Sequence, residues 1–148
     1  MTSRPRAGQR ASSPGAKQRA SSPRAGQRAK DVLGRFGEDL AARQLVAGGA
    51  QILDRNWRCR DGELDIVALD AGTVVFCEVK TRTGTRHGTP AEAVDDRKVA
   101  RVRRLAARWL AEHPRVSGPV RFDLVAVSRE VTPGQPGSVR VDHRRGAF

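Results

Sequence analysis

Residues 63–80 read ELDIVALDAGTVVFCEVK, and how this stretch pairs with itself decides the fold. Two runs rich in β-branched residues, ELDIVAL (63–69) and TVVFCEVK (73–80), flank Asp70-Ala71-Gly72, the pattern of a hairpin. A two-residue loop at Ala71-Gly72 pairs Asp70 with Thr73, and a four-residue loop pairs Leu69 with Val74. Both give one register. In it Asp65 faces Glu78 and Glu63 faces Lys80, and all four side chains share a sheet face because strand residues alternate. Leu64, Ile66, Ala68, Val75, Cys77 and Val79 form the opposite face, which is wholly apolar and must be covered.

Carboxylates directly opposite one another across a ladder repel. Lys80 neutralises only one of them, and Glu63 competes for it. A divalent cation between Asp65 and Glu78 resolves the conflict, and all-oxygen ligation suits Mg²⁺ or Mn²⁺ better than zinc. A solvated cluster of surface salt bridges is the alternative. Val67 and Phe76, on the same face, look like core beside a site rather than wet surface.

Upstream, DVLGRFGEDLAARQLVA (31–47) places Val32, Leu33, Phe36, Leu40 and Leu45 at helical spacing, ended by Gly48-Gly49. QILDRNW (51–57) reads as a strand, followed by the turn-like RCRDG. Downstream, TRTGTRHGTP (81–90) is a loop, and Asp95 or Asp96 caps a long helix halted by Pro114. Its apolar stripe is Val99, Val102, Leu105, Ala106, Trp109 and Leu110. VRFDLVAV (120–127) and SVRVDH (138–143) complete the strands. This order predicts an α/β fold, a mixed sheet flanked by helices.

The charge is uneven: 28 Lys+Arg against 16 Asp+Glu over 148 residues, with eight basic and no acidic residues in the first 30. That segment repeats with a period of nine, RAGQRASSP (6–14), GAKQRASSP (15–23) and RAGQRAKDV (24–32). Its composition cannot bury enough apolar surface to offset ordering, so residues 1–30 are expected as a disordered basic tail and residues 31–148 as the domain. An Arg- and Ser-rich, acid-free tail also mimics a mitochondrial transit peptide. No apolar signal core or membrane span is visible, and Cys59 and Cys77 are too few for a disulfide framework. Together these features point to the cytoplasm and away from membranes.

On the second helix Arg97, Arg101, Arg104 and Arg108 follow i, i+4, i+7, i+11, broadened by Lys98 and Arg103. Almost no acids are interleaved, which makes this stripe a candidate track for phosphates, with Arg82 and Arg86 nearby. A solvated helix face is the ordinary meaning of such charge. Asp123, mid-strand among apolar residues, is expected as the structural partner of an arginine. Trp57 and Trp109 are expected in the core.

Asp65…Glu78-Val79-Lys80 resembles the PD-(D/E)XK nuclease core. The wider text, GRFGEDLAA (34–42), NWRCRDGELDIVAL (56–69), FCEVKTR (76–82) and the terminal GAF (146–148), resembles the YraN-like family of small bacterial proteins, assigned to the restriction-endonuclease-like fold and related to Holliday-junction resolvases. The resemblance runs from about residue 31 to the end. It implies Glu38 as a further metal ligand, and Gly34 and Gly37 would let backbone approach closely there. It implies a Mg²⁺- or Mn²⁺-dependent nuclease in which Asp65 and Glu78 hold the metal and Lys80 positions water or stabilises developing charge. Glu63 would anchor Lys80 or bind a second ion. The substrate implied is nucleic acid, DNA before RNA, with branched DNA among the candidates, and resolvases of this fold work as homodimers. The alternative is a non-catalytic nucleic-acid-binding protein that keeps the fold.

Overall fold

The computed structural model describes residues 25–84 and 95–148. The hairpin forms as its register requires. Strands β2 (Gly62–Asp70) and β3 (Thr73–Thr83) pair antiparallel from Asp70↔Thr73 to Ile66↔Cys77. Ala71 and Gly72 both take positive φ, 47° and 83°, the combination that matches a two-residue turn to the twist of its strands. Strand β1 (Gln51–Cys59) pairs antiparallel with β2. From β3 the chain crosses through helix α2 (Asp96–Glu112) to β4 (Val120–Glu130), which lies parallel to β3. Strand β5 (Ser138–Arg144) closes the order β1-β2-β3-β4-β5 with an antiparallel edge.

Helix α1 (Ala25–Ala47) and α2 pack on opposite faces of this five-stranded mixed sheet, an α/β fold consistent with the restriction-endonuclease-like arrangement. On one face Ala41, Ala42 and Leu45 of α1 meet Ile66, Ala68, Val75, Cys77, Val125 and Val127. On the other, Val102, Leu105, Ala106 and Trp109 of α2 meet Leu64, Val67, Val74 and Phe76. Both faces are therefore dry, which is why β2 and β3 read as nearly continuous apolar runs. Trp109 is buried and donates its indole N–H to Asp54 at 2.9 Å, and Trp57 packs at the margin of the same core.

Three sequence expectations need correction. Helix α1 begins at Ala25, six residues before the expected boundary, so residues 25–30 are helical and exposed rather than part of a tail. Residues 1–24 lie outside the described residues. Next, the face that α1 turns to the sheet is made of small residues, Gly37 and Ala41 above all, while Val32 and Phe36 stay 68% and 41% exposed. Finally, Leu64 packs toward α2, not with Ile66. The β1–β2 ladder runs Arg55↔Ile66 and resumes at Trp57↔Leu64, skipping Asn56 and Asp65, and Asn56 has a φ of 53°. This irregularity breaks the alternation at Asp65, the effect a local distortion has on side-chain direction.

Asp123 lies one strand over from the hairpin, paired with Cys77. It is fully buried and accepts from Arg121 Nε at 2.8 Å, Arg121 Nη2 at 3.0 Å and the Gly146 backbone N–H at 3.0 Å. His143 Nε2 lies 2.8 Å away. Arg121 also reaches Asp70 at 2.8 Å, tying the hairpin turn to β4, and His143 carries the link on to β5. The reading of Asp123 as the partner of an arginine agrees with these contacts.

Candidate functional site

Where β2 leaves the β3 ladder beyond Ile66↔Cys77, β3 stays paired with β4 but its β2-facing edge loses its partner. The Asp65 carboxylate fills the gap by accepting the Val79 N–H at 2.8 Å. Glu78 projects toward α2, following Phe76 by alternation, and is only 11% exposed. Around these two the chain forms a cavity of about 540 Å³ whose lining includes Glu38 of α1, Glu63 and Asp65 of β2, and Glu78 and Lys80 of β3. The expected residues from three separate elements are thus brought together.

The close approach of α1 depends on one glycine. A Cβ on Gly37 would overlap the Thr81 hydroxyl of β3, so only glycine lets the helix carry Glu38 this near the sheet. Gly34, expected to serve the same end, has open space around it.

Two lysines contest Glu78. Lys98 Nζ stands 2.6 Å and Lys80 Nζ 3.4 Å from the same oxygen, Oε1. Lys98 belongs to the first turn of α2, which is fixed by the Asp95 cap: its side chain accepts the Lys98 backbone N–H at 2.7 Å. The expectation that Lys98 belongs to the phosphate-facing stripe is corrected, since its side chain is 16% exposed and turned to Glu78. A sequence signal existed. Lys98 sits one turn before Val102, in line with Leu105 and Trp109, so it continues the buried stripe of the helix.

The electrostatics follow from this crowding. Burial, then repulsion from Glu78, Glu38 and Glu63, raises the Asp65 pKa to about 7, against the pull of the Val79 N–H. Burial and the adjacent Lys80 hold Lys98 below the usual lysine range, despite the attraction of Glu78. Burial works against the charge on Lys80 too, but its contacts with Lys98 and Glu78 outweigh it and its pKa rises. Glu63 does not face Lys80: β2 has diverged, and Glu63 pairs with Arg58 across the β1–β2 ladder at 3.0 Å.

Among the described residues no three Asp, Glu, His or Cys side chains close into a ready metal cage. The donor chemistry nevertheless fits a hard divalent ion. Asp65 and Glu78 offer carboxylate oxygens, Glu38 stands on the same cavity, and the repulsion on Asp65 is what a cation would relieve.

Of the basic residues, Arg82, Arg97, Arg101 and Arg104 are exposed. Arg108 is engaged, 3.2 Å from Glu112 and 3.4 Å from Asp61, while Arg103 lies over the Phe122 ring. Arg86 lies outside the described residues. No helix among the described residues is long and apolar enough to cross a membrane.

Comparison with known proteins places the sequence in a family. The profile described as Uncharacterised protein family UPF0102 matches residues 37–127, a span that holds Glu38, Asp65, Glu78, Lys80 and Lys98. The chain belongs to the UPF0102 family. A UPF0102 protein of Frankia casuarinae is 69% identical over 119 residues, covering 80% of this chain and 98% of the relative. Another from Parafrankia is 64% identical over 116 residues, covering 78% and 95%. One from Beutenbergia cavernae is 55% identical over 117 residues, covering 79% and 96%. The YraN-like resemblance of the sequence is to this family.

Proposed function

We propose that this protein is a divalent-metal-dependent nuclease that hydrolyses DNA phosphodiester bonds, with branched or otherwise structured DNA among its substrates. One observation carries the reading: Asp65, forced toward protonation by burial and by Glu78, shares its cavity with Glu38 and with Lys80. The Val79 N–H accounts for one Asp65 oxygen, but not for three further carboxylates gathered around it.

Asp65 and Glu78 would hold Mg²⁺ or Mn²⁺, with Glu38 as a further oxygen donor. The bound ion supplies Lewis-acid activation of water and neutralises charge at the scissile phosphate. Lys80, partly exposed beside Glu78, would orient the attacking water by donating a hydrogen bond to its oxygen, or stabilise the phosphate oxygens as their charge grows. Exposed Arg97, Arg101 and Arg104 hold the sugar-phosphate backbone alongside. The Val79 N–H fixes the orientation of Asp65 before any ligand arrives.

A second reading, nucleic-acid binding without turnover, is favoured by one contact: Lys98 already neutralises Glu78. The two readings separate in a cleavage screen on linear, flap, junction and RNA substrates with Mn²⁺ or Mg²⁺. Hydrolysis that disappears in Asp65→Asn and Lys80→Met while binding persists supports the nuclease. Tight binding with no product on any substrate supports the binding module.

A further inference from the structure

The stripe that α1 withholds from the core is not scattered over the surface. Val32, Leu33 and Phe36 face Val139 of the edge strand β5 across a groove of about 860 Å³. Val139 is 43% exposed and Phe36 41%, so the floor of this groove is apolar and open. Its rim carries Arg28, Lys30 and Arg129, and no lining residue is acidic. Lys30, Leu33 and Thr83 line both this groove and the acidic cavity, so the two adjoin.

We propose that this groove binds the unpaired strand of a nucleic acid substrate. The inference rests on reading the acidic cavity as a phosphodiester site, and it names the class of substrate that site takes. The occupant must be anionic at its edges and apolar at its faces. Unpaired nucleotides have that chemistry: phosphates meet Arg28, Lys30 and Arg129, and a base lies against the Phe36 ring. A duplex keeps its base faces stacked inside and offers the floor nothing. Residues 1–24, which lead directly into α1, do not suit the groove either. They carry six basic residues and no acidic one, and have no large apolar side chain beyond Met1. A strand with its scissile phosphate at Lys80 would pass Lys30 and enter the groove.

Fluorescence anisotropy of the full chain in EDTA tests this, using a labelled single-stranded oligonucleotide and a hairpin duplex of the same sequence. Phe36→Ala should weaken single-strand binding about tenfold and leave duplex binding within about a factor of two, the loss expected for one base-stacking platform. Val139→Ser, on the opposite wall and at an exposed position, should shift single-strand affinity in the same direction. Equal losses on both ligands, or no loss on either, would overturn the proposal. So would unchanged single-strand affinity with an altered oligomeric state by light scattering, which assigns the groove to a second copy of the chain. Cleavage plays no part in this assay. Failure of the nuclease reading, no hydrolysis of any substrate with Mn²⁺, leaves the groove result standing.

Discussion

At Asp65, burial and the neighbouring carboxylates Glu78, Glu38 and Glu63 all push toward the protonated form, against the Val79 N–H and the attraction of Lys80. The folded protein therefore holds this proton up to about pH 7, whereas the unfolded chain releases it near 3.8. Between those values the native state binds more protons, so its stability falls as pH rises, and the part due to Asp65 is gone above pH 7. Urea melts in EDTA should show stability falling by a few kcal/mol between about pH 4.5 and 7.5. Asp65→Asn should flatten that slope, and an unchanged slope in the variant would assign it elsewhere. Lys98 makes the complementary case. Its ammonium occupies Glu78 Oε1, where a divalent cation would have to compete with it, so Lys98→Met should tighten Mn²⁺ binding in a calorimetric titration, about tenfold for a buried charge contact. Lys80→Met, at 3.4 Å rather than 2.6 Å from that oxygen and more exposed, should change it less. Weaker Mn²⁺ binding in Lys98→Met would mean that Lys98 orders the site rather than occupying it.

Among the elements, α1 bears most directly on the site because a single glycine sets its depth. Gly37→Ala drives a methyl into the Thr81 hydroxyl and should cost about 1–3 kcal/mol, moving Glu38 outward. Gly34→Ala meets open space and should gain roughly 0.5–1 kcal/mol from helix propensity. Thermal melts of the two variants check the contrast, and similar values would remove Gly37 from its special role. The hairpin register is legible in the sequence because turn chemistry and side-chain alternation are local rules. The Asp95 cap and the position of α2 are legible for the same reason. The places of Leu64 and Glu63 are not, because each depends on a non-local event. Perfect alternation through Asp65 assigns both to the wrong neighbours, since β2 parts from β3 there. Lys98 is misplaced when grouped by charge type rather than by the helical stripe it continues. On α1, spacing identifies the apolar residues but not which of them the sheet is long enough to cover. Val32 and Phe36 fall outside it.

Over the whole molecule, the N-terminal charge and the Asp123 cluster act separately. Six of the twelve net positive charges lie in residues 1–24. Their removal should lower nucleic-acid affinity and flatten its salt dependence, by about 0.9 in logarithmic slope for each phosphate no longer neutralised. The fold should keep its melting temperature, because α1 and both core faces lie beyond residue 24. A large drop in melting temperature would show that the segment packs on the domain. One strand over from the site, Asp123 carries a pH dependence opposite to that of Asp65. Burial opposes its charge, but Arg121, the Gly146 N–H and His143 overcome that and lower its pKa. Its contribution is present above the unfolded carboxylate value and is lost only as pH falls through the lower folded one. Asp123 and Asp65 thus shift the stability profile in opposite directions.

The claim on which all of this depends is that Asp65 and Glu78 form a divalent-cation site. Thermal melts of the full chain and of Asp65→Asn, each in EDTA and in Mn²⁺ at about pH 8, where Asp65 is ionised, test it most directly. The account predicts that Mn²⁺ raises the melting temperature of the parent and not of the variant, and that in EDTA the variant is as stable as the parent or more so. A parent that does not respond to Mn²⁺, together with a variant destabilised equally in both buffers, would contradict it and make the cluster a structural salt bridge.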